Sequence, residues 1–278
     1  VRLRVKAIET RYWRPGDDYL KELSDKIQPL LRDGDAVVIS EKAISTSSGN
    51  IVDESKVKPG VSAKLIAMLW MRLVWGRFLG KICHFKDASI RHLRNYPLRE
   101  GAAHKQIVLQ LSGLLNALKY GSEAGIDVSN MPHSLACLPL EKPGAEARRI
   151  YRELKKRTGK KITVIISDTD STFSFHSLHF TSHPKPLRGI ISLGGFFPFV
   201  LGRTLRLRQR ATPLALEGLK LSLEEALNLA EIAHHSRGCG AGRTVWDAAN
   251  RYGVDFSEVT WEMLSEASHF PIVLIRKK

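Results

Sequence analysis

Hydrophobic and polar positions change period several times along the chain, and each period predicts an element. Residues 2–8 alternate charged and aliphatic side chains, Arg2-Leu3-Arg4-Val5-Lys6-Ala7-Ile8, which predicts a half-buried strand. After Trp13-Arg14-Pro15-Gly16-Asp17-Asp18, apolar residues recur at helical spacing over 19–31 and predict a helix, closed by the turn Arg32-Asp33-Gly34-Asp35. Ala36-Val37-Val38-Ile39-Ser40 is short and apolar, so it reads as a buried strand ending at Glu41-Lys42, with a polar loop expected over 45–50. A helix over 145–158 closes at Gly159 and feeds a second buried strand, Ile162-Thr163-Val164-Ile165-Ile166. Ser222-Leu223-Glu224-Glu225 is a capping box opening a helix to about Arg237, and Thr244-Val245-Trp246-Asp247 resembles a second box whose helix ends near Gly253.

Two stretches fit these periods poorly. Over 61–82, Leu65-Ile66-Ala67-Met68-Leu69-Trp70-Met71 is apolar on every side of a helix, yet Lys64, Arg72, Arg77 and Lys81 interrupt the segment. It is too short and too charged to span a bilayer, so no transmembrane segment is expected. It reads as a helix buried in the core or at a subunit contact, or as one lying on a membrane surface. Residues 189–198 are apolar but broken by Gly and Pro, which predicts close backbone packing.

Composition narrows the class. With 278 residues and 43% apolar content the chain can bury a real core, and it opens strand-like rather than with a signal peptide, so a cytoplasmic globular protein is expected. Its three cysteines, Cys83, Cys137 and Cys239, are too few and too scattered for a disulfide framework or a zinc ligand pair. The net charge of +15 points to phosphate-bearing partners, which could be nucleotides or phosphorylated small molecules, nucleic acid such as RNA, or anionic lipid, and charge alone does not choose between them. The basic runs at 148–149, 155–157, 160–161 and 203–210 carry no interleaved aromatics, however, and read more simply as solvated faces than as an RNA-binding stripe.

Against this basic background two acidic segments stand out, Gly125-Ile126-Asp127-Val128-Ser129-Asn130 and Ile165-Ile166-Ser167-Asp168-Thr169-Asp170. Each sets carboxylate beside hydroxyl or amide where the backbone is expected to turn. Asp127 and Asp168, with Thr169, Asp170, Ser129 and Asn130 nearby, offer the oxygen ligands that magnesium or manganese prefers. The same residue types also cap simple polar turns. Arg237-Gly238-Cys239-Gly240-Ala241-Gly242-Arg243 joins two helices, and its small residues and flanking arginines suit either a phosphate contact or a linker, although it matches no nucleotide-loop fingerprint. Cys239, with cationic neighbours and His234-His235 near, is a weaker candidate nucleophile. His176, His179 and His183 raise zinc, but strand-like alternation would point His176 and His179 to opposite faces, with no acidic or thiol partner in the segment.

Three stretches together resemble the coenzyme F420-0:L-glutamate ligase family, archaeal and actinobacterial γ-glutamyl ligases of deazaflavin coenzyme biosynthesis. They are Asp33-Gly34-Asp35-Ala36-Val37-Val38-Ile39-Ser40-Glu41-Lys42-Ala43-Ile44-Ser45, Ala124-Gly125-Ile126-Asp127-Val128-Ser129-Asn130 and Val164-Ile165-Ile166-Ser167-Asp168-Thr169. The resemblance implies an α+β, two-lobed fold in an intertwined homodimer, with a nucleotide- and metal-binding lobe over 1–182 and a second lobe over 183–278. It implies Mg2+ or Mn2+ at Asp127, Asp168 and Thr169. GTP would meet Ser40, Glu41, Lys42, Asn130, Gly240, Gly242 and Arg243. The implied reaction activates a substrate carboxylate as an acyl phosphate, which the amino group of L-glutamate attacks. The chain departs from the family in carrying Thr46 where a lysine is expected and Cys239 where the glycine-rich loop supplies an acid, so a non-catalytic relative that binds nucleotide or RNA is the alternative.

Overall fold

The computed structural model describes residues 2–121 and 123–277. In chain order its elements are β1 (Leu3–Thr10), α1 (Tyr19–Ile27), β2 (Ala36–Ser40), α2 (Glu41–Ser47), β3 (Ile51–Asp53) and α3 (Val61–Leu65). A π-helical run, Ile66–Leu79, carries α3 without a break into α4 (Gly80–Ile82). Then come α5 (Asp87–Arg94), α6 (Leu98–Ser112), α7 (Leu114–Ala117), β4 (Leu135–Cys137), α8 (Pro143–Thr158), β5 (Thr163–Phe175), β6 (Leu178–Thr181) and β7 (Ile191–Ser192). The chain closes with α9 (Phe197–Thr204), β8 (Arg208–Gly218), α10 (Leu223–Arg237), α11 (Val245–Tyr252), α12 (Trp261–Glu266) and β9 (His269–Lys277).

One mixed sheet organises the molecule in the order β1-β9-β2-β5-β6-β7, with β8 on the other edge of β5. Strands β8 and β9, both beyond residue 207, complete a sheet begun by β1 and β2. β2 and β5 are parallel, and where they pair both are buried on two faces, which is why 36–39 and 164–166 are continuously apolar. Their alternate residues divide between two cores. Val37, Ile39, Val164 and Ile166 face α1 and α8, whereas Val38 and Ile165 face Leu229 and Ala233 of α10. A separate cluster forms among the helices between residues 61 and 120, around Met71, Trp75, Leu93 and Val108.

The helices expected at 19–31, 145–158, 222–237 and 244–253 are present, with both capping boxes formed and Gly159 and Gly253 left-handed at their ends. Three local expectations are corrected. The polar run at 45–50 is not all loop, because α2 continues through Ser45, Thr46 and Ser47 and buries them. The second acidic segment is not a turn at a strand end. β5 runs on through Asp168 and Asp170 and absorbs them at a register shift against β8 between Asp168 and Ser171, a bulge that re-aims side chains. The three-histidine segment is a hairpin: His176 sits in the turn at φ +52°, His179 lies on β6, and His183 follows it.

Candidate functional site

The parallel register of β2 and β5 builds the site. Ser40 pairs with Ser167, so the next residue of each chain, Glu41 and Asp168, emerges side by side at the carboxyl end of β2. Crevices at the carboxyl ends of parallel strands are where open α/β sheets bind ligands. The β5–β6 hairpin then returns His183 to the same place. Its Nε2 lies 3.6 Å from Glu41 Oε2 and 4.0 Å from Asp168 Oδ2, and one ligand atom from each of the three residues falls within 4.8 Å of the others. All three are buried.

The electrostatics of this cluster are unbalanced. Burial, with Asp170 and Glu41 beside it, pushes Asp168 up to about 7. For His183 burial opposes the imidazolium, but Glu41 and Asp168 outweigh it and raise its pKa. Glu41 Oε1 accepts the Leu140 amide at 2.7 Å, while His183 Nε2 and Asp170 Oδ2 are buried with no hydrogen-bond partner. Arg237 donates to Ser167 Oγ at 3.3 Å from both terminal nitrogens, and burial pulls its pKa down to about 10 against the pull of Asp168. The first acidic segment reaches the same point through its glycine: at Gly125, φ +84°, an added Cβ would stand 2.9 Å from His183 Nε2.

Asp127 is engaged elsewhere. Lys42 Nζ, one residue into α2 from Glu41, donates to Asp127 Oδ2 at 2.9 Å, to Ser129 Oγ at 3.0 Å and to the Ser129 carbonyl. The Ser129 amide and hydroxyl also donate to Asp127, each at 2.8 Å, and its backbone bridges to Cys137 of β4. Burial works against this carboxylate, yet Lys42 and Ser129 hold it below the ordinary range. Thr46, one turn after Lys42, is buried with its hydroxyl toward the sulfur atoms of Met131 and Cys137. Ser40 precedes α2 without a side-chain capping bond, and Thr169 is exposed.

The glycine-rich loop docks on Asn130. Asn130 Oδ1 accepts the Ala241 amide at 2.9 Å and its Nδ2 donates to the carbonyls of Gly242 and Cys239. The amides of Arg243 and Thr244 bond Asp247 Oδ2, and that of Gly242 bonds the Cys239 carbonyl. Those donors, which a phosphate would need, are therefore spent within the protein. Arg243 Nε donates to the exposed Cys239 Sγ at 3.3 Å. Arg203 and Arg210, at the ends of the last basic run, are tied to the Cys83 carbonyl and to Glu224 respectively, so the run is not one free cationic stripe.

Beside these groups opens a cavity of about 920 Å³, with Asp127, Thr169, Arg243, Glu54, His104 and Glu123 in its wall. The last three belong to a buried network that no motif announced. His104 bridges Glu54 at 2.6 Å and Glu123 at 2.9 Å, and Lys105 meets Glu123 at 2.5 Å and the Lys119 carbonyl at 2.7 Å. Lys119 Nζ then reaches Asp170 Oδ1 at 2.7 Å, so an unbroken series of polar contacts joins the cavity wall to the bulge of β5. Burial opposes a charged His104, but the two glutamates raise it to about 10, whereas burial lowers Lys105.

Residues 7–192 match the family model described as F420-0:Gamma-glutamyl ligase. The uncharacterized protein MJ1361 of Methanocaldococcus jannaschii is 36% identical over 288 residues, a match covering 99% of this chain and 97% of that protein. Coenzyme F420:L-glutamate ligase of Archaeoglobus fulgidus is 28% identical over 160 residues, 56% of this chain and 55% of its own. The enzyme of that name from Methanothermobacter thermautotrophicus is 30% identical over 161 residues, 55% and 56% of the two chains. The match thus spans only about half the length of these ligases.

Proposed function

Because the chain belongs to the F420-0:gamma-glutamyl ligase family, we propose that it is an amide-forming ligase that joins a substrate carboxylate to L-glutamate, using GTP and a divalent cation. The carboxylate takes the γ-phosphoryl group with departure of GDP, the glutamate amine then attacks the acyl carbon, and inorganic phosphate leaves. The observation that carries this reading is the meeting of Glu41, Asp168 and His183 at the carboxyl end of β2, one residue from Thr169 in the wall of a cavity large enough for a small-molecule substrate.

The residues present fit a cation. Two converging carboxylates and the orphaned Asp170 Oδ2 leave negative charge that no protein donor satisfies, and His183, whose Nδ1 accepts the Lys185 amide at 3.2 Å, would offer its Nε2 lone pair to an ion in the tautomer that gives up that bond. Glu41, Asp168 and His183 would hold the ion, and the nitrogen ligand suits manganese better than magnesium. Bound there, the cation supplies neutralisation of charge on a transferring phosphoryl group. Lys42 meanwhile fixes the Asp127–Ser129 turn in the cavity wall, and Arg237 adds a half-buried positive charge near Asp168.

The test is turnover. Purified protein with GTP, Mn2+, L-glutamate and a panel of phosphorylated carboxylic acids should release GDP and phosphate in step with a product heavier by one glutamyl residue. Asp168→Asn should abolish release while retaining cooperative unfolding. GDP release that does not need a carboxylate, or an unchanged rate in Asp168→Asn, would refute the assignment.

A further inference from the structure

We propose that the continuous helix from α3 through the π-helical run to α4 is a docking face for an anionic lipid bilayer, on which the protein lies without crossing it. No helix among the described residues is long and apolar enough to cross a membrane. What this helix has instead is two faces. Ala63, Ala67, Met71, Trp75 and Gly80 are buried, four or five residues apart, as the wider i→i+5 winding of a π-helix requires for a single face. Between them Val61, Leu65, Leu69, Leu73, Phe78 and Ile82 recur at the same spacing and are exposed, Val61 to 73% and Phe78 to 64%.

A row of large apolar side chains in water marks an interaction surface. The occupant is chosen by charge. Residues 61–86 contain Lys64, Arg72, Arg77, Lys81 and Lys86 and not one Asp or Glu. Arg72 is spent on the Tyr96 carbonyl, but Lys64, Arg77, Lys81 and Lys86 are exposed along the helix and just beyond it. A self-complementary contact between two copies would set four exposed bases against their own images, with Asp87, next to Lys86, the nearest acid in sequence to offset them. Acyl chains accept the leucines and phenylalanine while anionic headgroups meet the bases, the pattern of helices that lie in a membrane interface. The apolar surface continues beyond Ile82, because α9, whose Arg203 holds the Cys83 carbonyl at 3.1 Å, exposes Phe197 and Leu201, and Leu205 just past its end is exposed as well.

Flotation of the full chain with vesicles tests the assignment. The protein should float with phosphatidylcholine vesicles containing phosphatidylglycerol, float far less with phosphatidylcholine alone, and be released by salt. The triple variant Arg77→Glu, Lys81→Glu, Lys86→Glu should bind the anionic vesicles roughly a hundredfold more weakly. Leu69→Ser with Phe78→Ser should bind about tenfold more weakly or worse, and both variants should unfold at an unchanged temperature. If the triple variant does not fold, release of the unmodified chain between 50 and about 500 mM salt decides the electrostatic part. Equal flotation with both vesicle types, no flotation at all, or a dimer that these substitutions dissociate in place of vesicle binding would each overturn the proposal.

Discussion

The His183 imidazole lies 3.6 Å from the Glu41 carboxylate, joining the first residue of α2 to the residue two places past the end of β6. A nitrogen ligand beside carboxylates favours manganese over magnesium, so thermal unfolding should rise more with Mn2+ than with Mg2+. At about a hundred times its dissociation constant an ion stabilises the folded state by about 2.7 kcal/mol. His183→Gln should erase most of the preference for manganese, and Glu41→Gln should weaken both ions. Equal shifts for the two ions in the unmodified protein would remove His183 from the ligand set.

Gly125 gives a second handle on the same place. A side chain there meets His183 Nε2 at 2.9 Å and Pro139 Cβ at 3.0 Å, on backbone at φ +84° that L residues avoid. Gly125→Ala should therefore cost on the order of 1–3 kcal/mol of stability and, in the fraction that folds, cut the Mn2+-dependent shift. A full shift in that variant would place the cation away from His183.

His104 makes stability depend on alkaline pH. Its pKa rises to about 10 in the fold from an ordinary value of 6.5, held up by Glu54 and Glu123 against burial. The proton is bound more tightly folded than unfolded, so this stabilisation is complete below about pH 6.5 and is lost as pH climbs from there through about 10. Urea unfolding across that window should show a decline on the order of a few kcal/mol. His104→Gln should be destabilised by about 3–5 kcal/mol at pH 7 and should flatten the profile, since Glu54 would lose its charged partner and Glu123 would keep Lys105 alone. An unmodified slope in His104→Gln would mean that some other group titrates there.

What could be read from the sequence follows from what is local. Capping boxes, Gly159 and Gly253 as helix ends, and the apolar runs of β2 and β5 are fixed by neighbours in sequence, and the helices and strands stand where those signals fall. The 61–82 segment reads as apolar all round because both of its faces are apolar, one buried and one exposed, so no amphipathic period marks which of them meets the core. Asp168 and Asp170 looked like a turn because Asp commonly makes one, whereas pairing with β8 and Lys119 keeps them in a bulged strand. His183 gave no local sign of acidic partners, since Glu41 and Asp168 come to it from other elements. Glu54, His104 and Glu123 were silent for the same reason: no short motif relates three residues that only tertiary packing brings together.

Lys42 and Asp127 form a pair that is each about one-fifth exposed, and the lysine also ties down Ser129. Lys42→Met should therefore free the 127–129 turn and cost on the order of 1–3 kcal/mol. It should also let the pKa of Asp127 rise, because burial would no longer be opposed by the ammonium. Carboxylate titration followed by NMR would report that rise. If Asp127 is unchanged in Lys42→Met, its low pKa belongs to Ser129 rather than to the lysine.

Asn130 is the pin of the glycine-rich loop. With φ at +51° it accepts one amide from the loop and donates to two of its carbonyls, while Tyr12 donates its hydroxyl to the Asn130 carbonyl and fixes the backbone from the other side. Removing the side chain deletes all three side-chain contacts but leaves α10 and α11 with their own capping boxes. Asn130→Ala should thus release residues 238–243 locally. Amide exchange there should quicken by one to two orders of magnitude, as expected for losing about 1–3 kcal/mol of local protection, with no matching change in the strands of the sheet. Should the loop amides stay protected in Asn130→Ala, the Asp247 and Cys239 bonds alone hold the loop in place, and Asn130 would be free to serve a ligand in the neighbouring cavity.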